Sequence, residues 1–154
     1  MERLKEIFFS FFISPEFGTS TLLVAIFAIY ENPFSWLGEI IVANELVEKS
    51  YYIPLGFLLY SFYRLKEMLL PNHRSRKILV KWQDFPTYKD TSFVGVFYLV
   101  FSVIITSTIS FVETDLGKST ICLFLTVAYS ISLSSFITMY FASVKIEEIL
   151  EKYT

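Results

Sequence analysis

The stretch that decides the fold is TSFVGVFYLVFSVIITSTISFV, residues 91–112, followed six residues later by STICLFLTVAYSISLSSFITMYFASV, residues 119–144. Neither run contains a charged residue. A membrane-spanning helix needs about 20 predominantly apolar residues, so each run is long enough to cross a bilayer. The intervening ETDLGK, residues 113–118, leaves room only for a tight turn between antiparallel neighbours. The two runs therefore predict a helical hairpin.

The composition agrees with a membrane protein. The 154 residues are 54% hydrophobic and 19% aromatic, and only 18% are charged, whereas soluble domains carry about 25% charged residues. Two weaker apolar segments precede the hairpin. We therefore predict an all-α integral membrane protein with four transmembrane helices arranged as two hairpins in a single domain, 1–154. The predicted spans are residues 15–31, 51–68, 91–112 and 119–144.

The Phe-rich segment before the first span has two interpretations. The first span reaches full length only if it continues N-terminally through Ser14, Pro15 and Glu16. Because proline starts or kinks a helix, we favour an N-terminal amphipathic helix along the interface. Whether residues 1–14 lie at the interface or belong to the first span stays open.

The segment between the first and second spans alternates apolar residues with glutamates at helical spacing. Trp36 in this segment suits the headgroup level of a bilayer. Residues 31–50 therefore predict a short extracytoplasmic helix on the membrane surface. In the second span, Pro54 falls in the first turn, where proline is tolerated.

The basic residues indicate the orientation. Four spans place residues 1–16, 64–90 and 145–154 on one side and residues 31–50 and 113–118 on the other. The first side holds 11 of the 13 basic residues. Basic residues accumulate in cytoplasmic loops, so we predict a multi-pass protein of the inner (plasma) membrane with both termini cytoplasmic. Residues 69–90 then form a cytoplasmic loop and residues 145–154 a cytoplasmic tail.

The chain offers few groups for catalysis or metal binding. His73 and Cys122 are its only histidine and cysteine, which excludes an intramolecular disulfide and multi-thiolate metal sites. Asp84 and Asp90 lie in a short loop with little to exclude water. Motifs such as GxSxG, HExxH and the phosphate-binding glycine loop are absent from the sequence. We predict a non-enzyme with no catalytic residue, no metal site and no cofactor.

The cytoplasmic loop contains HRSRKILVKWQDFPTYKD, residues 73–90, the densest basic cluster. Its aromatic residues could stack on nucleic-acid bases. Basic residues beside a membrane more often fix the topology and contact anionic headgroups. We therefore expect membrane lipid or a cytoplasmic protein as partner, and no direct nucleic-acid binding. The predicted contact residues are Arg74, Arg76, Lys77, Lys81 and Trp82. Pro86 is expected to break the chain before the third span.

Hydroxyl side chains recur every four residues along the second hairpin. Small hydroxyl residues allow close packing within a bundle. In an assembly of several copies they could instead line a pathway; we favour packing. The residues concerned are Ser102, Thr106 and Ser110 in the third span and Thr126, Ser130, Ser134 and Thr138 in the fourth, with Ala128, Ser132 and Ser135 nearby.

Asp, Glu, Lys and Arg are absent from the third and fourth spans, and Glu16 and Glu31 lie near the ends of the first. Proton-coupled carriers keep an ionisable group near the bilayer midplane, so an ordinary secondary transporter is disfavoured. The tail, KIEEILEKYT, places Ile146, Ile149 and Leu150 on one face. That face can pack on the cytoplasmic loop or pair with another copy.

The order of these features resembles the small four-span membrane proteins of bacterial phage-defence systems, of the RexB type and the membrane component of Kiwa. The resemblance is carried by a short first hairpin, the basic linker YRLKEMLLPNHRSRKILVKW, and a longer Ser/Thr-bearing hairpin with a charged tail. It implies an oligomeric membrane effector or sensor that works with a cytoplasmic partner. We hypothesise that the protein is a homo-oligomeric effector or sensor of this kind. A pore or a membrane-perturbing subunit is one form that such a protein can take. The alternative is a membrane anchor or scaffold that recruits a cytoplasmic protein or nucleic-acid complex through the basic loop.

Overall fold

The computed structural model describes residues 12–69, 72–112 and 116–152, so most of the predicted amphipathic helix over residues 1–14 lies outside the described residues. Strands are absent from the described part of the chain, and the prediction of an all-helical protein is confirmed. The helices are α1 Pro15–Ile29, α2 Glu31–Ala43, α3 Tyr52–Leu69, α4 His73–Leu79, α5 Phe85–Val112 and α6 Lys118–Lys152.

The α5/α6 hairpin is the centre of the fold. Ser102 of α5 meets Ser132 of α6, and Gly95 faces Met139, so the two helices run antiparallel. The other four described helices all pack against α6. This helix has 35 residues, and it therefore extends along the whole bundle.

Helix α5 begins at Phe85, about six residues before the predicted start of the third span. The expected break at Pro86 is wrong, because this residue lies in the first turn of α5. A helix tolerates proline there, since the first backbone N–H groups have no partner within the helix. Part of the predicted cytoplasmic loop is also helical. Asn72 caps α4 by accepting a hydrogen bond from the Ser75 N–H at 2.8 Å.

Helices α1 and α3 cover different halves of the hairpin. Helix α1 begins beside Ser135 and runs toward the α5–α6 turn, where Phe27 packs on the hairpin core. Helix α3 starts after Ser50, whose carbonyl accepts a hydrogen bond from the Tyr129 hydroxyl at 3.1 Å. It ends near the tail of α6, where Arg64 pairs with Glu147 at 2.6 Å.

Helix α2 crosses the first turn of α6 at Gly38. This glycine is buried, and a Cβ atom added to it would overlap the backbone carbonyl of Lys118. Glu39 also lies 3.8 Å from the Lys118 ammonium group. The absence of a side chain at Gly38 is therefore what allows α2 to dock.

Helices α5 and α6 are long and apolar enough to cross a membrane. Only 44% and 39% of their apolar windows are buried within the protein. Helix α1 is apolar but has 15 residues, which gives a length of about 22 Å. Helix α3 has 18 residues, and its last two turns contain Arg64, Lys66 and Glu67. Because of these three charged residues, α3 is less hydrophobic than α5 and α6 and does not qualify as a candidate span.

A Gly38→Ala substitution tests the close approach of α2 and α6. We expect the free energy of unfolding to fall by about 1–3 kcal/mol, because the methyl group overlaps backbone that cannot rotate away. Thermal unfolding in a mild detergent, followed by circular dichroism, measures the change. Gly56→Ala is the matched control: nothing lies within 4 Å of its added Cβ, and alanine favours a helix by up to about 1 kcal/mol. Equal effects of the two substitutions would contradict the proposed contact.

Candidate functional site

The interior of the α5/α6 hairpin is polar at its closest point. Ser102 is fully buried and donates a hydrogen bond to the Ala128 carbonyl at 2.7 Å. Ser132 is also fully buried and donates to the same carbonyl at 2.8 Å. The two hydroxyl oxygens are also 2.5 Å apart, so either group can donate to the other in place of the carbonyl. Small side chains allow helices to approach closely, and here their hydroxyl groups also join the helices.

The predicted hydroxyl row of α5 faces inward along its whole length. Thr106 is fully buried and donates to the carbonyl of Ser102 at 3.0 Å. Ser110 donates to the carbonyl of Val47 at 2.9 Å, and so connects α5 to the segment between α2 and α3. These bonds satisfy the hydroxyl groups, as packing within a bundle requires.

The predicted row of α6 lies on a different side of the helix from Ser132. Ser130 and Ser134 are each two residues from Ser132, which corresponds to a rotation of about 200°. Ser130, Ser134 and Thr138 are partly exposed, and their side chains make no hydrogen bond to the described residues. Thr126, at the start of the row, donates to the Cys122 carbonyl at 2.8 Å.

Thr138 also lines a depression between α5 and α6. The depression has a volume of about 460 Å³. Hydroxyl groups from both helices contribute to its lining: Thr87, Tyr88, Thr91, Thr138, Phe141 and Ala142. The outer row of α6 therefore leads into a second hydroxyl-bearing surface.

A buried carboxyl group lies inside the bundle. Glu16 is 2% exposed, and its Oε1 atom accepts a hydrogen bond from Ser135 at 3.2 Å. Next to it, Ser14 donates to the Tyr98 hydroxyl at 3.1 Å. Ser135 and Tyr98 occupy the middles of α6 and α5. None of the described basic side chains lies within ion-pair distance of Glu16.

The sequence places Glu16 at the end of the first span, where it would lie near the membrane boundary. The structure keeps it in the first turn of α1, but α1 begins level with the middle of the hairpin. Sequence reasoning also treated Ser132 and Ser135 as neighbours of the row, whereas both are fully buried. A signal was present: Ala128, Ser135 and Ala142 repeat every seven residues, two turns of a helix.

The predicted loop residues gather at the end of the bundle that holds α4, the start of α5 and the end of α6, which we term the basic end. Arg76, Lys77 and Lys81 are exposed there and form no ion pair with the described residues. Trp82 is partly buried and contacts the Tyr88 ring, with the ring centroids 5.0 Å apart and the ring planes inclined by 33°. The backbone of Arg74 and His73 belongs to α4, and their side chains lie outside the described residues.

The tail of α6 packs on the predicted loop. Ile146 is buried against Leu79 and Leu65, and Leu150 contacts the same cluster. Lys145, by contrast with the lysines near α4, lies 2.9 Å from the Glu148 carboxylate. This hydrogen bond raises the pKa of Lys145.

Groups of three or more histidine, cysteine or acidic side chains that could hold a metal are absent from the described residues. No family model, curated protein or solved structure matches the chain. The described residues form three features that bear on function: the inner polar contacts with Glu16, the outer hydroxyl row of α6, and the basic end.

Alanine substitutions at Ser102 and Ser132 test the inner contact. Each single change should lower the free energy of unfolding by about 1 kcal/mol, because the remaining serine still donates to Ala128. The double change should differ from the sum of the singles by about 0.5 kcal/mol or more, since the two groups interact directly. Chemical denaturation in detergent measures all four proteins of this cycle. Ser134→Ala, on the outer side, should leave stability unchanged; strictly additive effects at 102 and 132 would contradict a direct contact.

Substitutions of Glu16 separate its hydrogen bond from its acidic group. Glu16→Gln keeps a side-chain oxygen that accepts from Ser135 and removes a buried acidic group with no basic side chain within ion-pair distance among the described residues. A neutral amide of the same size costs less to bury than an acidic group without a basic partner. We expect this variant to unfold at the same temperature as the native protein or higher. Glu16→Ala removes the acceptor and leaves a void, which should cost about 1–3 kcal/mol. If the Gln variant were less stable than the Ala variant, the Glu16 side chain would not be a buried acceptor for Ser135.

Proposed function

We propose that this chain is a non-enzymatic, multi-pass protein of the bacterial inner membrane that assembles as a homo-oligomer and acts as an effector or sensor of membrane integrity. One observation carries the proposal. The hydroxyl groups inside the hairpin are satisfied within the chain, whereas Ser130, Ser134 and Thr138 on the outer side of α6 have no hydrogen-bond partner among the described residues.

The surface around that row supports a lipid environment. Large apolar side chains on the hairpin are exposed, including Phe97, Phe101, Phe111 and Phe141 at 54% to 88%. Exposure of apolar surface to water costs about 25 cal/mol per Å², and soluble monomers rarely expose large contiguous apolar patches. Lipid removes this cost. The hairpin thus carries its polar groups inside and its apolar groups outside, as a membrane demands.

The placement of α1 and α3 supports four spans. Phe12 and Ile13 are helical before a bend at Ser14, which favours a first span that extends N-terminally beyond Pro15. The last two turns of helix α3 bring Arg64 and Lys66 to the basic end, where long basic side chains can reach the headgroups. Cytoplasmic placement of the basic end follows the positive-inside rule and gives both termini a cytoplasmic location.

The outer row of α6 supports assembly. In hydrocarbon an unpaired hydroxyl group has no water to bond with, and Ser and Thr side chains commonly bond across helix interfaces in membranes. A second copy of the chain offers the same row. Four helices cannot enclose a wide channel, but several copies could surround a pathway lined by Ser130, Ser134 and Thr138. We also propose a role in phage defence. This part of the proposal rests only on the resemblance of the sequence pattern to the four-span membrane proteins of bacterial phage-defence systems.

Disulfide cross-linking tests the assembly. Because Cys122 is the only cysteine and is buried, Cys122→Ser gives a background without thiols. In membranes, Ser134→Cys in this background should form covalent dimers on mild oxidation. Phe97→Cys, on an exposed position of α5, is the control and should remain monomeric. Equal cross-linking at both positions would contradict an interface along the outer row.

Ion flux tests the pathway. The purified protein in liposomes should conduct ions, and Ser130→Leu with Ser134→Leu should abolish the flux, because leucine makes the lining apolar. Since both positions are partly exposed, the change leaves the inner packing intact. Leu133→Ile, on the neighbouring exposed position, is the matched control. Flux that persists in the double variant, or that is absent from the native protein, would overturn the pathway.

A further inference from the structure

A groove lies at the basic end, between α4 and the tail of α6. Its volume is about 380 Å³, which falls within the range of small-ligand sites, about 300–1,000 Å³. A second depression of about 410 Å³ shares Lys77 and Lys81 with the groove and adds Arg76 and Val80. The two lysines therefore border both. The groove is lined by Lys77, Ile78, Lys81, Trp82, Gln83 and Ile149.

The charge of this surface is not neutralised locally. Arg76, Lys77 and Lys81 form no ion pair with the described residues, and none of the described residues that line either depression is acidic. Other cations at the same end do have partners: Arg64 pairs with Glu147 and Lys145 with Glu148. The surface is therefore complementary to an anion.

The groove also has an apolar wall that is held in place. Trp82 contacts the Tyr88 ring and packs against the cluster that contains Leu79 and Ile146. Ile149, from the tail of α6, lies on the other side of the groove. A small inorganic anion would gain nothing from these side chains. A ligand that is both anionic and apolar would use the lysines and the indole together.

We propose that this groove binds the headgroup of an anionic phospholipid, with the phosphate between the ammonium groups of Lys77 and Lys81 and the glycerol and first acyl carbons against Trp82 and Ile149. The inference rests on the membrane placement proposed above. It goes beyond general attraction to anionic lipid, because it assigns a defined site with an apolar wall. Basic pockets at the cytoplasmic side of membrane helices bind such headgroups.

Fluorescence quenching by brominated lipid tests the site. The chain has two tryptophans, and Trp36→Phe leaves Trp82 as the only emitter. The variant is reconstituted into phosphatidylcholine vesicles that contain the same fraction of chain-brominated phosphatidylglycerol or chain-brominated phosphatidylcholine. We expect several-fold stronger quenching by the anionic lipid. Circular dichroism confirms that each variant is folded.

Two charge-matched variants locate the effect. Lys77→Gln with Lys81→Gln should abolish the difference between the two lipids. Lys66→Gln with Lys89→Gln removes the same charge from the same end without changing the groove, and it should keep the difference. Equal loss in both variants would show diffuse attraction and overturn the site.

Three further outcomes overturn the proposal, each in a different way. Equal quenching by both lipids in the Trp36→Phe variant, whose groove is unchanged, means that the groove does not distinguish an anionic headgroup from a zwitterionic one. Loss of the preference when inorganic phosphate is added means that the site recognises free phosphate and not lipid. Absence of quenching by either lipid, in a variant that stays with the vesicles, means that Trp82 lies away from the acyl chains and that the groove does not hold a lipid.

Discussion

The contact between Ser102, Ser132 and the Ala128 carbonyl is the constraint on which the other packing depends. It brings α5 and α6 close together at a point where both serines are fully buried. A larger side chain at either position would separate the helices. Because the other four described helices dock on α6, the spacing of the hairpin sets the surface that each of them meets.

The hairpin also explains why polarity is distributed as it is. The buried hydroxyl groups of Ser102, Thr106 and Ser132 donate hydrogen bonds to backbone carbonyls, so they add little cost inside the apolar hairpin. On the outer side of α6, the hydroxyl groups of Ser130, Ser134 and Thr138 have no hydrogen-bond partner among the described residues. The same residue types therefore have two roles on one helix, packing on the inner side and, in the proposed assembly, contact between copies on the outer side.

The hairpin can be predicted from the sequence because the pattern that predicts it lies within one continuous segment of the chain. Two charge-free runs joined by six residues leave few alternatives, and the structure places α5 and α6 there. The start of α5 was missed because Pro86 can either end a helix or begin one, and the choice depends on how the basic end packs. The depth of Glu16 was missed because it depends on where α1 docks along α6, a tertiary relationship that the local pattern does not encode.

The inner side of α6 was assigned incompletely for a related reason. A four-residue spacing follows one side of a helix only over short distances, since the helix repeats every 3.6 residues. From Thr126 to Thr138 the residues of the row lie about 120° to 160° around the helix from Ser132, on the other side of α6. The seven-residue spacing of Ala128, Ser135 and Ala142 stays on one side, and it marks the buried surface.

The buried bond between Glu16 and Ser135 joins positions 119 residues apart, and this has a consequence for biosynthesis. Glu16 leaves the ribosome long before its partner has been translated. Until α6 is complete, the carboxyl group lacks the neighbour that receives it in the folded protein, and α1 through α5 lack the helix on which they pack. Helix α1 therefore reaches its final place only after α6 has been made.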